Sequence, residues 1–109
     1  MALMAAAAGP PLPLAALRER LAASLLGDDA WPYLRLWLEI AALAAQGDAM
    51  FATIGERIGR GFLAWGAAQI AAETPEARAR DAARLLTMFE GMVLLKSIGM
   101  ADVAMLAIA

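Results

Sequence analysis

The 109-residue sequence predicts an all-α fold: an antiparallel domain of about five helices that dimerises through a four-helix bundle. Three observations carry this. Apolar residues recur at helical spacing, and nowhere does a run alternate as a half-buried strand would. Helix stop and start residues, Gly27, Gly47, Thr74-Pro75 and Gly99, divide the chain at intervals suited to helices. Apolar residues make up 62% of the chain against 18% charged, well above the roughly 45–50% apolar of an average soluble domain. A single small domain leaves part of that apolar surface in need of a cover, and a second copy is the simplest one, because twofold homodimers are the commonest soluble oligomers.

Pro10, Pro11 and Pro13 break any helix begun in MALMAAAAG, because proline lacks the N–H a helix interior requires. The first helix then runs from about Leu14 to Leu26, with Leu14, Leu17, Leu21 and Leu25 on one face and Gly27 after its end. The second opens at Asp28-Asp29, either of which suits an N-cap, has Pro32 in its first turn and continues to about Gln46. Apolar nearly all round, it reads as the central helix, buried from several sides. The third begins after Asp48 and runs to about Glu73. In the fourth, Thr74 is the cap, Pro75 the first residue and Glu76 the next, and the helix reaches about Ile98 with Lys96 in its last turn. Met100 to Ala109 forms a short last helix, with Asp102 as its candidate cap.

Several function classes fall away on composition. With no Cys and no His there is no thiolate zinc site, no cysteine nucleophile, and none of the commonest general base and metal ligand. No catalytic residue, metal or cofactor is expected, and the chain does not read as an enzyme. A net charge of −2 argues against a nucleic-acid surface. The longest uncharged run, Met1–Leu17, contains three prolines and lacks a basic start, so it reads as neither a spanning helix nor a signal peptide. A cytoplasmic protein is expected. Eight Arg against one Lys suggests a GC-rich bacterial gene.

The third helix contains the segment GERIGRGFLAWG, with four glycines in twelve residues, although each helix-interior Gly costs about 1 kcal/mol relative to Ala. At about 100° per residue, Gly55, Gly59 and Gly66 fall within roughly 40° of one another, bordered by Ala52, Phe62 and Ile70. Such a strip admits a second helix backbone at close range; the competing reading is chance glycine in an alanine-rich chain. The fourth helix supplies LLTMFEGMVLL, residues 85–95, too apolar for a monomer surface. The expected dimer face is therefore Gly55, Gly59, Phe62, Gly66 and Ile70 with Leu85, Phe89, Met92 and Val93.

The order of an aromatic-rich helix (WPYLRLWLEIAALAAQGD), a long helix with basic residues and a central aromatic (AMFATIGERIGRGFLAWGAAQIAAE), a further helix after a polar turn (TPEARARDAARLLTMFEGMVLLKSIG) and a short apolar tail resembles the C-terminal half of TetR/AcrR-type transcriptional regulators. The resemblance covers about residues 12–109 and rests on patterns of residue type. It implies an effector-binding and dimerisation domain whose two long helices, residues 49–73 and 75–98, form the dimer bundle. It also implies a pocket inside each protomer for a small apolar or amphipathic effector, whose entry releases the operator. The family's N-terminal helix-turn-helix domain is absent from these residues, so DNA binding carries over to none of them. Residues 1–11 then read as the remnant of the connecting helix and a linker.

The residues expected to line a pocket are Trp31, Tyr33, Trp37, Met50, Phe51, Phe62, Trp65, Met88 and Met92, because aromatics and Met suit an apolar, adaptable cavity. Ordinary core packing is the competing reading of each. Candidate polar fixing points are Tyr33, Glu39, Gln46, Thr87 and Glu90. Glu90 stands out because a buried carboxylate needs a partner or a raised pKa, yet it shares a wheel side with Glu76, Arg80 and Thr87, which reads as a solvated stripe. A homodimeric helical scaffold without a small ligand is the competing function.

Overall fold

The computed structural model describes residues 10–108, so the expected connecting-helix remnant over residues 1–9 lies outside them. Five α-helices follow in order: α1 (Leu14–Leu25), α2 (Trp31–Ala45), α3 (Ala49–Gln69), α4 (Pro75–Ser97) and α5 (Ala101–Ile108), with a 3-10 turn (Asp28–Ala30) before α2. The fold is all-α.

The helix ends follow local chemistry with three exceptions. Asp48 Oδ1 accepts the Phe51 N–H at 3.1 Å and Thr74 Oγ1 accepts the Ala77 N–H at 3.0 Å, so both caps satisfy donors that a helix start leaves free. Gly47 and Gly99 take positive φ, +100° and +82°, the left-handed turn that closes a helix at low cost only in glycine. Asp28 and Asp29, by contrast, do not cap α2: they form the 3-10 turn, and Ala30 precedes α2 without a side-chain cap. Asp102 likewise falls inside the first turn of α5 rather than before it.

The larger departure is at the end of α3, which stops at Gln69 instead of Glu73. Ile70 becomes extended (φ −94°, ψ +127°) and forms a parallel bridge with Leu12. The Leu12 N–H donates to the Gln69 carbonyl and the Ala71 N–H to the Leu12 carbonyl, each at 2.8 Å. A residue before proline is pushed toward extended backbone, so Leu12, ahead of Pro13, keeps an N–H and a C=O outside any helix. Pairing them lets Ile70 leave its helix and become fully buried.

The core lies around α4. Ala82, Leu85, Phe89, Met92 and Val93 are buried on one face of α4, against Leu17, Leu21, Ala22 and Leu25 of α1, Phe62 of α3 and Ala104 of α5. The expected centrality of α2 is corrected: Leu34 is its one buried residue, and Tyr33 (61%) and Leu36 (57%) lie open. Its apolar surface is spread around the helix instead of gathered in one stripe, so no single neighbour covers it. Among the described residues no helix is long and apolar enough to cross a membrane.

Candidate functional site

The residues expected to form a pocket separate into three groups. Phe62 and Trp65 pack together on α3, and Trp37 of α2 packs against the same core. Phe62 packs tilted against Trp65 and against Phe89, with centroids 5.6 and 4.6 Å apart, a range in which ring pairs attract. Trp37 Nε1 donates to Glu90 Oε2 at 2.7 Å, the short distance of a bond to a charged acceptor. Met92, the second buried member of the set besides Phe62, is in the core.

The second group is exposed or half-buried. Tyr33 and Met50 are each 61% exposed, so they line no enclosed site with the aromatic cluster. Met88 borders a shallow groove on the outer side of α4, with Arg80, Ala83, Arg84 and Thr87. Phe51 is half-buried at the start of α3. In the third group is Trp31, half-buried at the start of α2, with the Lys96 ammonium 5.1 Å from its ring centroid.

The residues expected on a dimer face are spent largely within the protomer. Phe62, Ile70, Leu85, Phe89, Met92 and Val93 are buried against this chain's own helices, and as packed they present no surface to a second copy. The glycine strip is likewise divided between internal neighbours. A Cβ at Gly66 would stand 3.3 Å from Leu85 Cδ2 of α4, and one at Gly55 would stand 3.7 Å from Ile40 Cγ2 of α2. Gly66 thus admits a close helix approach, but from α4 of the same chain. Gly59 has open space around it.

Glu90 departs from the solvated stripe expected of it. Glu76, Arg80 and Thr87 are exposed, whereas Glu90 is half-buried. Burial pushes its carboxyl above the ordinary glutamate range, and the Trp37 hydrogen bond partly opposes that rise. Thr87 is no fixing point for a ligand in this arrangement, because its hydroxyl donates to the Ala83 carbonyl of its own helix at 2.9 Å. Glu39 and Gln46 are exposed.

Two further features have no signature in the residue pattern. Lys96 Nζ donates to the Leu26 and Gly27 carbonyls, both at 3.0 Å. These are carbonyls at the end of α1 that the helix itself leaves without donors. These partners of Lys96 are 69 and 70 residues away in the chain. A groove of about 470 Å³ also runs between α1 and α5, lined by Glu19, Ala22, Ala23, Leu26, Gly27, Met105 and Ile108.

The arrangement offers an apolar, aromatic contact zone with one half-buried carboxylate. Among the described residues, no group of three acidic side chains stands close enough to hold a metal ion. No family model matches the sequence, and no curated protein or solved structure matches it either.

Proposed function

We propose that this chain is the ligand-sensing and dimerisation domain of a TetR-like transcriptional repressor, cytoplasmic and bacterial, binding a small apolar or amphipathic effector. The observation that carries the reading is the half-buried Glu90, held by Trp37 and next in the chain to Phe89 of the Phe62–Phe89–Trp65 cluster. A polar anchor inside an aromatic surroundings is the usual composition of a small-molecule site. The helix order, with two long helices α3 and α4 followed by a short apolar one, supports the same reading. Operator binding belongs to the helix-turn-helix domain of such regulators and to none of these residues.

A second reading, a homodimeric helical scaffold without a small ligand, is favoured by a different observation. Exposed apolar side chains include Tyr33, Leu36 and Leu43 of α2, Leu94 and Ile98 at the end of α4, and Val103, Met105 and Leu106 of α5. Apolar side chains left open in this number mark interaction sites where they form a continuous patch.

Native mass spectrometry of the purified chain separates the two. The sensor reading expects a dimer of the 11.4 kDa chain that retains or takes up an apolar small molecule, and loses that uptake in Glu90→Ala. The scaffold reading expects a dimer that takes up none from a panel of apolar and amphipathic compounds. A monomer without uptake would sink both.

A further inference from the structure

Two polar contacts join α2 to α4, each made by a tryptophan of α2 and a charged residue of α4. Trp31 lies under the Lys96 ammonium at 5.1 Å, and Trp37 donates to Glu90 at 2.7 Å. Trp31 and Trp37 stand six residues apart, as do Glu90 and Lys96, so the two contacts match in antiparallel register. Leu34, the buried residue of α2, stands between them in sequence. The rest of α2 contributes little to the core. Its entry is a 3-10 turn without a side-chain cap, and its exit is Gly47, at φ +100° with open space around it. Where α2 meets α3, Gly55 presents no side chain to Ile40, and a Cβ built there would stand at an ordinary 3.7 Å.

We propose that α2 is a flap that turns on α3 and swings away from α4 by breaking both tryptophan contacts, while α1, α4 and α5 stay packed. Elements with few buried apolar contacts open at lower free energy than the core, and α2 holds one buried residue where α4 holds five. Opening separates Trp37 from Glu90 and leaves the carboxylate free for water or a ligand. The flap is a property of the fold and holds whether or not a small molecule binds the aromatic cluster.

The chain has no cysteine, so spin labels can be placed at will on exposed sites. One pair, at Arg35 of α2 and Arg84 of α4, reads the flap; a second, at Glu19 of α1 and Arg84, reads the core. Double electron–electron resonance on the first pair is expected to give a short and a long distance. Trp37→Phe, which removes the indole N–H, is expected to raise the long-distance fraction relative to the short one roughly tenfold, the usual size of one hydrogen bond to a charged group. The second pair is expected to keep one unchanged distance. Should Trp37→Phe fail to fold, Trp31→Leu, which removes the ring beneath Lys96 and leaves the Lys96 hydrogen bonds to α1 in place, carries the same expectation through the other contact. A single narrow distance in the first pair that a folded variant leaves unmoved would overturn the flap, as would equal movement in both pairs.

Discussion

Helices α2 and α4 invert the usual relation between apolar sequence and burial. α2 carries two charged residues, Arg35 and Glu39, in fifteen positions, yet it buries only Leu34. α4 carries seven charged residues, Glu76, Arg78, Arg80, Asp81, Arg84, Glu90 and Lys96, yet it is the axis of the core. The difference is one of arrangement. The apolar residues of α4 recur at three- and four-residue steps and form a stripe that α1, α3 and α5 cover together, while Glu76, Arg78, Arg80 and Arg84 stay exposed. The apolar residues of α2 surround the helix, and a neighbour on one side leaves the rest open. Amount of apolar residue predicts that a helix seeks cover; only its angular distribution says whether one chain can supply it.

The largest expected effect tests the core side of this contrast. Leu85 is fully buried, so Leu85→Ala is expected to cost about 2–5 kcal/mol in chemical denaturation. A cost below about 1 kcal/mol would mean that α4 is not the axis of the core.

The glycines of α3 compare the two interfaces directly, because one faces each helix. Gly55→Ala meets Ile40 of α2 at ordinary contact distance and is expected to stabilise the fold by up to about 1 kcal/mol through helix propensity. Gly66→Ala crowds Leu85 of α4 at 3.3 Å and is expected to forfeit that gain. Equal stabilisation by both, read from thermal midpoints, would show α4 to be packed as loosely as α2.

Glu90 is where the two helices meet, and its titration sharpens the comparison. Its carboxyl binds a proton more tightly folded than unfolded, because burial disfavours the charge more than the Trp37 bond favours it. The stability linked to that proton is therefore present below the ordinary glutamate value and lost as pH rises through the raised one. Glu90→Gln keeps an acceptor for Trp37 without the charge. It is expected to flatten this part of the stability–pH curve and to be at least as stable as the parent at pH 7. Denaturation midpoints at pH 4 and pH 7 that differ equally in parent and variant would contradict this assignment.

The smallest effect is expected on the open face of α2. Leu36→Ser should change stability by no more than about 0.5 kcal/mol, as exposed substitutions do. A loss several times larger, or one that depends on protein concentration, would show that a second copy covers this face.

Much of the fold was legible along the chain. Thr74-Pro75 and Asp48 cap where their side chains predict, Gly47 and Gly99 stop their helices, and the Leu17–Leu21–Leu25 stripe is buried as its spacing requires. These features depend on neighbours within four residues, and the sequence displays them directly. The candidate site was legible only in part. Phe62 and Trp65 pack together and Trp37 packs on the same core, but Tyr33 and Met50 lie open, and residues expected on a dimer face, Leu85 and Val93 among them, are consumed by the protomer's own core. A wheel diagram gives the apolar arc of each helix and not which neighbour fills it.

The sequence by itself determined that the protein is helical, where most helices begin, and that its apolar surface exceeds its charge. These are consequences of propensity, capping and composition, all local quantities. Only the tertiary structure decided that α4 and not α2 lies at the centre, that Ile70 leaves α3 to pair with Leu12, that Lys96 holds the end of α1, and that Glu90 leaves its exposed stripe for Trp37. Each of these joins residues at least 53 positions apart or ranks one helix against another. Their energies depend on which surfaces are brought together, and no periodicity along the chain records that.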